Sequence, residues 1–282
     1  MKYLPPDPER VVAKLKQRDV NTHKGDYGRI LLLCGSVGYT GAAALCAMGA
    51  LRTGSGLVYL GVPEPIYGIE AVKLTEPIVM PLEHDNGRLS VKSTEQILPL
   101  LDRMDAVAVG PGLGVSTGTK HVITTVLKNF SGPVVLDADG INCLSEHKDI
   151  LRDRTGATIL TPHEGELARF LGHPLESREE DAIRTAREYG VVLLLKGHET
   201  IVTDGITTYV NHTGNPGMAV GGCGDLLTGM IVSMLGQNIP ALDAAVASAW
   251  LHGKAGDICA RELGQCAMLP SDMLNVLPRL FK

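Results

Sequence analysis

The sequence predicts an α/β fold in which a mostly parallel central sheet carries helices on both faces. Short apolar runs alternate along the chain with longer amphipathic or Ala/Leu-rich segments, as strands alternate with helices in such folds. Runs such as ILLLC (30–34) and VVLLL (191–195) are apolar at every position. Strands of this kind are covered on both faces, which is typical of parallel sheets.

The predicted elements follow in chain order. Strands are expected at 29–34, 57–62, 105–109, 133–136, 157–160 and 191–195, followed by a hairpin of 200–202 with 207–210 around Asp204-Gly205. Helices are expected at 41–52, 64–73, 93–104, 119–128, 164–171, 178–189, 225–235, 242–260 and 272–280. No linker divides the sequence, so residues 1–282 are predicted to form a single domain.

Composition excludes several classes of protein. The 282 residues carry a net charge of −5 without a Lys/Arg run, which argues against nucleic-acid binding. The apolar stretches end before the ~18 residues that a membrane span needs. The opening MKYLPPDPER lacks the apolar core of a signal peptide, and the six cysteines form no CxxC pair. We therefore expect a cytoplasmic protein with reduced, mostly buried thiols.

The strongest motif is the glycine-rich GGCGD (221–225), which precedes an apolar helix. Glycines let successive N–H groups turn toward one point, and the helix adds its positive dipole end. This arrangement suits an anion hole for a transferring phosphoryl group. Asp225 would lie at its mouth, where the helix end favours the ionised form that accepts a proton from a hydroxyl. The alternative is a helix N-cap aspartate after a flexible turn.

Two further clusters follow predicted strands. In KGHET (196–200), Lys196 could pair with phosphate while the glycine lets a nucleotide approach, or the segment is a turn with a solvated lysine. In TPHEGE (161–166), His163 could bind a substrate amide or phosphate, and Glu166 could act on a metal ion through its waters. The alternative for the second cluster is a helix cap with exposed charges.

Three more segments complete the candidate site. GPGLG (110–114) admits a ligand close to the backbone, and GAAA (41–44) leaves room for a flat ring or a ribose. Asp137 and Asp139 place two carboxylates at one strand end, which suggests Mg²⁺ nearby. No GxGxxG or P-loop pattern occurs, and the GxSxG match at 114–118 is interpreted as chance.

Seven motifs in this order resemble the NAD(P)H-hydrate dehydratase family of the ribokinase-like superfamily, from about residue 24 to the C-terminal helices: KGDYG, GS with GAAAL, GPGLG, LDADG, LTPHEGE, LLKGHET and NPGMAVGGCGD. The resemblance implies a ribokinase-like fold. It also implies the ADP- or ATP-dependent dehydration of the S epimer of hydrated NADH or NADPH (NADHX or NADPHX) back to NAD(P)H. Phosphate and AMP or ADP are the other products.

The family's residue roles carry over by position. Asp225 resembles the catalytic residue, which also contacts the substrate. The other implied substrate contacts are Ala42, Ala43, Gly112, Gly114 and His163. The implied nucleotide contacts are Lys196, Gly197, His198, Glu199, Thr200, Gly222, Cys223 and Gly224. The resemblance further implies Mg²⁺ and a homotetramer. The chain looks like a stand-alone dehydratase that works with a separate epimerase, since it lacks the length for the epimerase domain fused in many relatives.

Two other functions remain open at this level. A kinase of the same fold, acting on a small hydroxylated vitamin precursor, would share GGCGD but yield a stable phosphorylated product. LTPHEGE and KGDYG favour the dehydratase over this kinase. A nucleotide-binding sensor without turnover is the third possibility, and the presence of Asp225 argues against it.

Overall fold

The computed structural model describes residues 6–15 and 18–281. The strands are β1 (Arg29–Leu33), β2 (Leu57–Pro63), β3 (Ile78–Leu82), β4 (His84–Asp85), β5 (Arg88–Leu89), β6 (Ala106–Val109), β7 (Val134–Leu136), β8 (Thr158–Leu160), β9 (Val192–Leu195), β10 (Thr200–Thr203) and β11 (Thr208–Asn211). The α-helices are α1 (Pro8–Leu15), α2 (Thr40–Arg52), α3 (Glu64–Lys73), α4 (Ser93–Leu101), α5 (Thr117–Asn129), α6 (Asp139–Asn142), α7 (Glu164–Leu171), α8 (Arg178–Tyr189), α9 (Cys223–Gly236), α10 (Ala241–Leu263) and α11 (Pro270–Leu280).

Nine strands of the described ranges form one sheet, in the order β11-β10-β9-β8-β7-β6-β1-β2-β3. All neighbours from β9 to β3 are parallel, and β10 and β11 extend the sheet antiparallel. The predicted mostly parallel sheet is confirmed. Because parallel strands all end at one edge, the loops after β1, β6, β7, β8 and β9 meet there.

Two hydrophobic cores lie on opposite faces of this sheet. In β1, Ile30 and Leu32 belong to one core, whereas Leu31 and Leu33 belong to the other. The first core packs beneath α2, α9, α10 and α11, and the second beneath α4, α5, α7 and α8. Coverage on both faces explains why the strand runs are apolar throughout.

Some elements differ from the sequence prediction. The edge strand β3 was missed because it contains a proline and is mostly part-exposed, so it lacks the apolar run of a central strand. The two-residue strands β4 and β5, joined by a turn at Asn86-Gly87, were too short to predict. The helix expected at 93–104 ends at Leu101, and the chance GxSxG serine, Ser116, caps α5. Helix α9 begins at Cys223, not Asp225.

Helices α2 and α9 contact each other backbone to backbone. A methyl group at Gly229 would clash with the carbonyl oxygen of Cys46, and one at Gly49 would lie 2.6 Å from the carbonyl oxygen of Leu226. Only glycine permits so close an approach. The two helices, which both begin at the carboxyl edge of the sheet, are therefore locked together without side chains between them at these points.

Candidate active site

The loops after the parallel strands are tied to one another at the carboxyl edge. Ser36 Oγ donates to the Gly112 carbonyl oxygen at 2.7 Å, which joins the loop after β1 to the loop after β6. The Lys196 amide donates to the Pro162 carbonyl oxygen at 2.8 Å, which joins the loops after β8 and β9. Helix α9 begins at the same edge, where the Cβ position of Gly224 lies 3.4 Å from Lys196 Nζ.

Asp137, at the end of β7, is the centre of a buried polar network. Its Oδ1 accepts hydrogen bonds from Thr161 Oγ1 at 2.8 Å and Lys196 Nζ at 2.7 Å. Its Oδ2 accepts one from Thr228 Oγ1, on α9, at 2.8 Å. The side chain is about 2% exposed, so these three donors replace water as its hydrogen-bond partners. The network connects the ends of three strands, β7, β8 and β9, to the first turns of α9.

Lys196 lies between two carboxylates. Besides Asp137, its ammonium is 3.7 Å from Glu166 Oε2. Burial opposes the charge, but the attraction of Asp137 and Glu166 outweighs it and raises the pKa of Lys196. Lys196 is therefore a fixed cation beside the start of α9, not the solvated lysine of a surface turn.

Asp225 lies in the first turn of α9 and is partly buried. Burial raises the pKa of its carboxyl group to about 6, and the charge of Asp137 adds to this, whereas Lys196 partly offsets it. The sequence led us to expect that the helix end favours the ionised form, whereas burial and the charge of Asp137 favour the protonated form. A carboxyl group of this pKa can accept or release a proton near neutral pH.

The first turn of α9 begins without a side-chain cap. Gly222 is the N-cap and has a φ of 101°, a conformation that other residues rarely adopt. Among the described residues, no acceptor is found for the amides of Gly224 or Asp225. Because the first amides of a helix have no partner within it, they are available to an anion. Burial raises the pKa of Cys223 to about 11, so its thiol stays protonated and adds no negative charge at the start of the helix.

The loop at 196–200 is exposed at residues 197–199 and contains two residues with positive φ. Gly197 has a φ of 147° and Glu199 a φ of 53°. Thr200 Oγ1 donates to the Gly197 carbonyl oxygen at 3.0 Å. His198 and Glu199 are exposed, so the nucleotide contacts implied for them would lie at the rim of the site.

The implied substrate residues fall into two groups. Ala42 and Gly112 are in contact, since the Ala42 Cβ lies 2.9 Å from the Cβ position of Gly112, and Gly114 follows in the same loop. Ala43 is fully buried, so its side chain cannot contact a ligand here, whereas Ala42 is part-exposed and can. His163 lies in the other group, exposed at the start of α7 beside Glu166.

The carboxylates do not form a metal cage. Asp139 Oδ2 accepts the Gly114 amide at 2.8 Å, whereas Asp137 is paired with Lys196, so protein donors, not a shared metal ion, are the partners of the two aspartates. Glu166 Oε2 accepts the His163 amide at 2.8 Å and also faces Lys196. The described part of the chain contains no cluster of three or more His, Cys, Asp or Glu suited to a metal.

Two residues of the site were not predicted. Thr228 stood out only as a hydroxyl within an otherwise apolar helix, and the sequence could not show that it faces Asp137. Arg178 is the first residue of α8, where a positive charge is unfavourable because the helix dipole is positive there. This unfavourable position was the signal in the sequence that Arg178 has another role.

Comparison with known proteins shows which family the chain belongs to. The profile of a family described as NAD(P)H-hydrate dehydratase matches residues 30–279. This chain belongs to the NAD(P)H-hydrate dehydratase family. It is 43% identical over 277 residues to the bifunctional NAD(P)H-hydrate repair enzyme Nnr of Moorella thermoacetica, covering 96% of this chain and 52% of that one. The chain thus spans about half the length of the curated relatives it matches.

One solved structure of a dehydratase supports the family assignment, and a second solved structure supports the fold. The ADP/ATP-dependent NAD(P)H-hydrate dehydratase of Bacillus subtilis, co-crystallised with ATP and Mg²⁺, is 30% identical, with a TM-score of 0.82 and all of both chains covered. A ribokinase-like superfamily protein of Enterococcus faecalis is 24% identical, with a TM-score of 0.85, covering 99% of this chain and 95% of that one. The ribokinase-like fold is therefore confirmed.

Proposed function

We propose that this chain, as one domain, uses ADP or ATP to dehydrate the S epimer of NADHX or NADPHX to NAD(P)H, with release of phosphate and AMP or ADP. The observation that carries the proposal is Asp225, which has a pKa of about 6 and lies in the uncapped first turn of α9 beside the ammonium of Lys196. A base near neutrality, free amides and a fixed cation are what phosphoryl transfer to an alcohol needs.

The reaction begins with the hydroxyl group of the hydrated nicotinamide ring. Asp225 takes its proton while the oxygen attacks the terminal phosphorus of the nucleotide, and the bond to the departing AMP or ADP breaks. The free amides of Gly224 and Asp225, together with Lys196, stabilise the developing negative charge. The phosphorylated ring then loses phosphate, driven by the electron pair of the ring nitrogen. Loss of a proton from the adjacent carbon restores the dihydronicotinamide.

A magnesium ion fits this site as part of the nucleotide. Mg²⁺ is usually held by one or two carboxylates, waters and substrate phosphates, so the absence of an all-protein cage in the described ranges is compatible with it. When bound, it would neutralise phosphate charge. Glu166, which lies next to Lys196, would contact the ion through water.

The wider setting is also a proposal. The described part of the chain has no helix long and apolar enough to cross a membrane, and we propose a cytoplasmic enzyme. We further propose a homotetramer whose substrates are NAD(P)HX and ADP or ATP. Because curated relatives are named bifunctional repair enzymes, we propose that an epimerase activity works alongside this one.

The function is tested by adding the purified protein, Mg²⁺ and either ADP or ATP to NADH hydrate. We expect the absorbance of the dihydronicotinamide to return only when a nucleotide is present, with one phosphate released for each NADH formed. No recovery of absorbance with either nucleotide would contradict the proposal and favour the kinase of the same fold. Omitting the nucleotide is the control.

The pH dependence follows from the pKa of Asp225. As Asp225 must be ionised to accept the proton, kcat/KM should fall about tenfold per pH unit below about pH 6. Asp137→Asn removes a negative charge that raises this pKa, so the acid limb of the profile should move to lower pH. The measurement is the profile of kcat/KM between pH 4.5 and 8. The pH at which its acid limb falls does not depend on the fraction of enzyme that is folded.

Asp139→Asn is the matched control for this profile. Asp139 bonds the Gly114 amide and is not among the charges that shift Asp225. Its substitution should therefore leave the acid limb near pH 6. An unmoved limb in the Asp137→Asn variant would show that Asp225 is not the titrating base.

A further inference from the structure

Arg178 occupies the first position of α8, where its charge is unfavourable. The first turn of a helix favours anions, and the rest of this turn obeys the rule with Glu179, Glu180 and Asp181. The N-cap is Ser177, whose side chain accepts the Glu180 amide, so the helix does not need Arg178 to begin. A cation in this position requires a reason outside α8.

The guanidinium group connects the two loops that follow β8 and β9. Its Nη1 donates to the carbonyl oxygen of His198, in the loop at 196–200, at 2.7 Å. Its Nε lies 2.9 Å from Glu164 Oε1, an ion pair in which the N–H is not aligned for a hydrogen bond. Glu164 adjoins His163, the implied substrate contact. One side chain thus joins the implied nucleotide loop to the implied substrate turn.

The third nitrogen explains the glycine of the loop. Arg178 Nη2 lies 2.7 Å from the Cβ position of Gly197, whose φ of 147° also disfavours any side chain. Among the described residues, neither Nη2 nor Nε has a hydrogen-bond partner, although both atoms are buried. A guanidinium group that only stabilised the fold would be expected to satisfy its buried donors. The position of the Arg178 guanidinium group is instead set by the two loops that it connects.

We propose that Arg178 is a positioning residue for the nucleoside di- or triphosphate: it holds the loop at 196–200 in its binding shape and couples that loop to the substrate turn through Glu164. This inference rests on the proposed function for the identity of the two ligands. Arg178 contacts neither reacting group, so its loss weakens the binding of the nucleotide more than it slows the chemical step.

The test compares Arg178→Gln with the unmodified protein. The dissociation constant for ADP and ATP with Mg²⁺, measured by calorimetry, should rise on the order of tenfold or more, as the loss of a charged hydrogen bond implies. The KM for the nucleotide should rise in parallel while kcat stays within about threefold. Arg178→Lys keeps the positive charge but not the forked guanidinium group, so its nucleotide affinity should lie between those of the unmodified protein and Arg178→Gln.

Arg187→Gln is the matched control. Arg187 also lies on α8 and also donates to a loop carbonyl, that of Gly205, but in the turn between β10 and β11. It should leave nucleotide binding unchanged while costing comparable stability. An equal loss of nucleotide affinity in the Arg187 and Arg178 variants, or an unchanged affinity in Arg178→Gln, would overturn the proposal.

The coupling is tested with Glu164→Gln, which alters an exposed side chain and is safe for the fold. Alone it should weaken nucleotide binding less than Arg178→Gln does, and the double variant should be no weaker than Arg178→Gln. Strictly additive losses would refute the coupling. Because these affinities are measured without NADH hydrate, they stand if the dehydratase assay fails, so the two failures are distinguishable.

Discussion

Asp225→Asn is expected to reduce kcat by about 10³-fold or more, within the range typical of a lost general base. The amide cannot accept the proton of the substrate hydroxyl, although it fills the same space. The proposed anion site uses the backbone amides of Gly224 and residue 225, which the substitution leaves in place, and Lys196 remains, so nucleotide affinity should change by less than about threefold. Recovery of NADH from its hydrate and calorimetric titration with ADP measure the two effects.

The same variant carries its own control for folding. The folded pKa of Asp225, about 6, lies above its ordinary value of 3.8, so its contribution to stability is lost as the pH rises through about 6. Removing the charge should therefore stabilise the protein at pH 8, by roughly 2 kcal/mol, and hardly at pH 4. Urea unfolding at both pH values measures this. Near-normal turnover in Asp225→Asn would eliminate the proposed base.

Gly229→Ala is expected to destabilise the protein by about 3 kcal/mol, the upper range for overpacking a core. The new methyl group would meet the carbonyl oxygen of Cys46 and force α2 and α9 apart. Urea unfolding monitored by circular dichroism measures the loss. Activity should fall as well, since both helices begin at the site.

Gly68→Ala is the matched control for this substitution. Gly68 also lies within a helix, α3, but nothing lies within 4 Å of its Cβ position. The alanine should leave stability unchanged or raise it by about 0.5–1 kcal/mol through helix propensity. If Gly229→Ala were as well tolerated as Gly68→Ala, the close contact of α2 and α9 would be disproved.

Much of the fold was predictable because local pattern determines it. The central strands are buried on both faces, so their sequences are apolar throughout and were recognised. The edge strand β3 depends on pairing with β2, which periodicity cannot show, and the strands β4 and β5 of the local hairpin are only two residues each, too short to give a pattern. The same limit applies to helix ends, where α9 begins two residues before the predicted start.

The site was predicted as a set of residues but not as a network. The sequence placed Asp137, Thr161 and Lys196 after strands, yet it could not show that Lys196 pairs with Asp137, 59 residues away. Because the sequence does not show that Lys196 neutralises Asp137, the two carboxylates of Asp137 and Asp139 suggested a metal ion instead. The pKa of Asp225 was also beyond the sequence, because it depends on how deeply α9 is buried and on which charges face it.

The glycine contact between α2 and α9 has a consequence for how such enzymes diverge. With main chain against main chain, the spacing between α2 and α9 is set by van der Waals contact between backbone atoms, not by side chains that a substitution could resize. Under the proposed function, changes in the surface loops would alter which molecules are admitted, while the distance between the starts of α2 and α9 would stay the same.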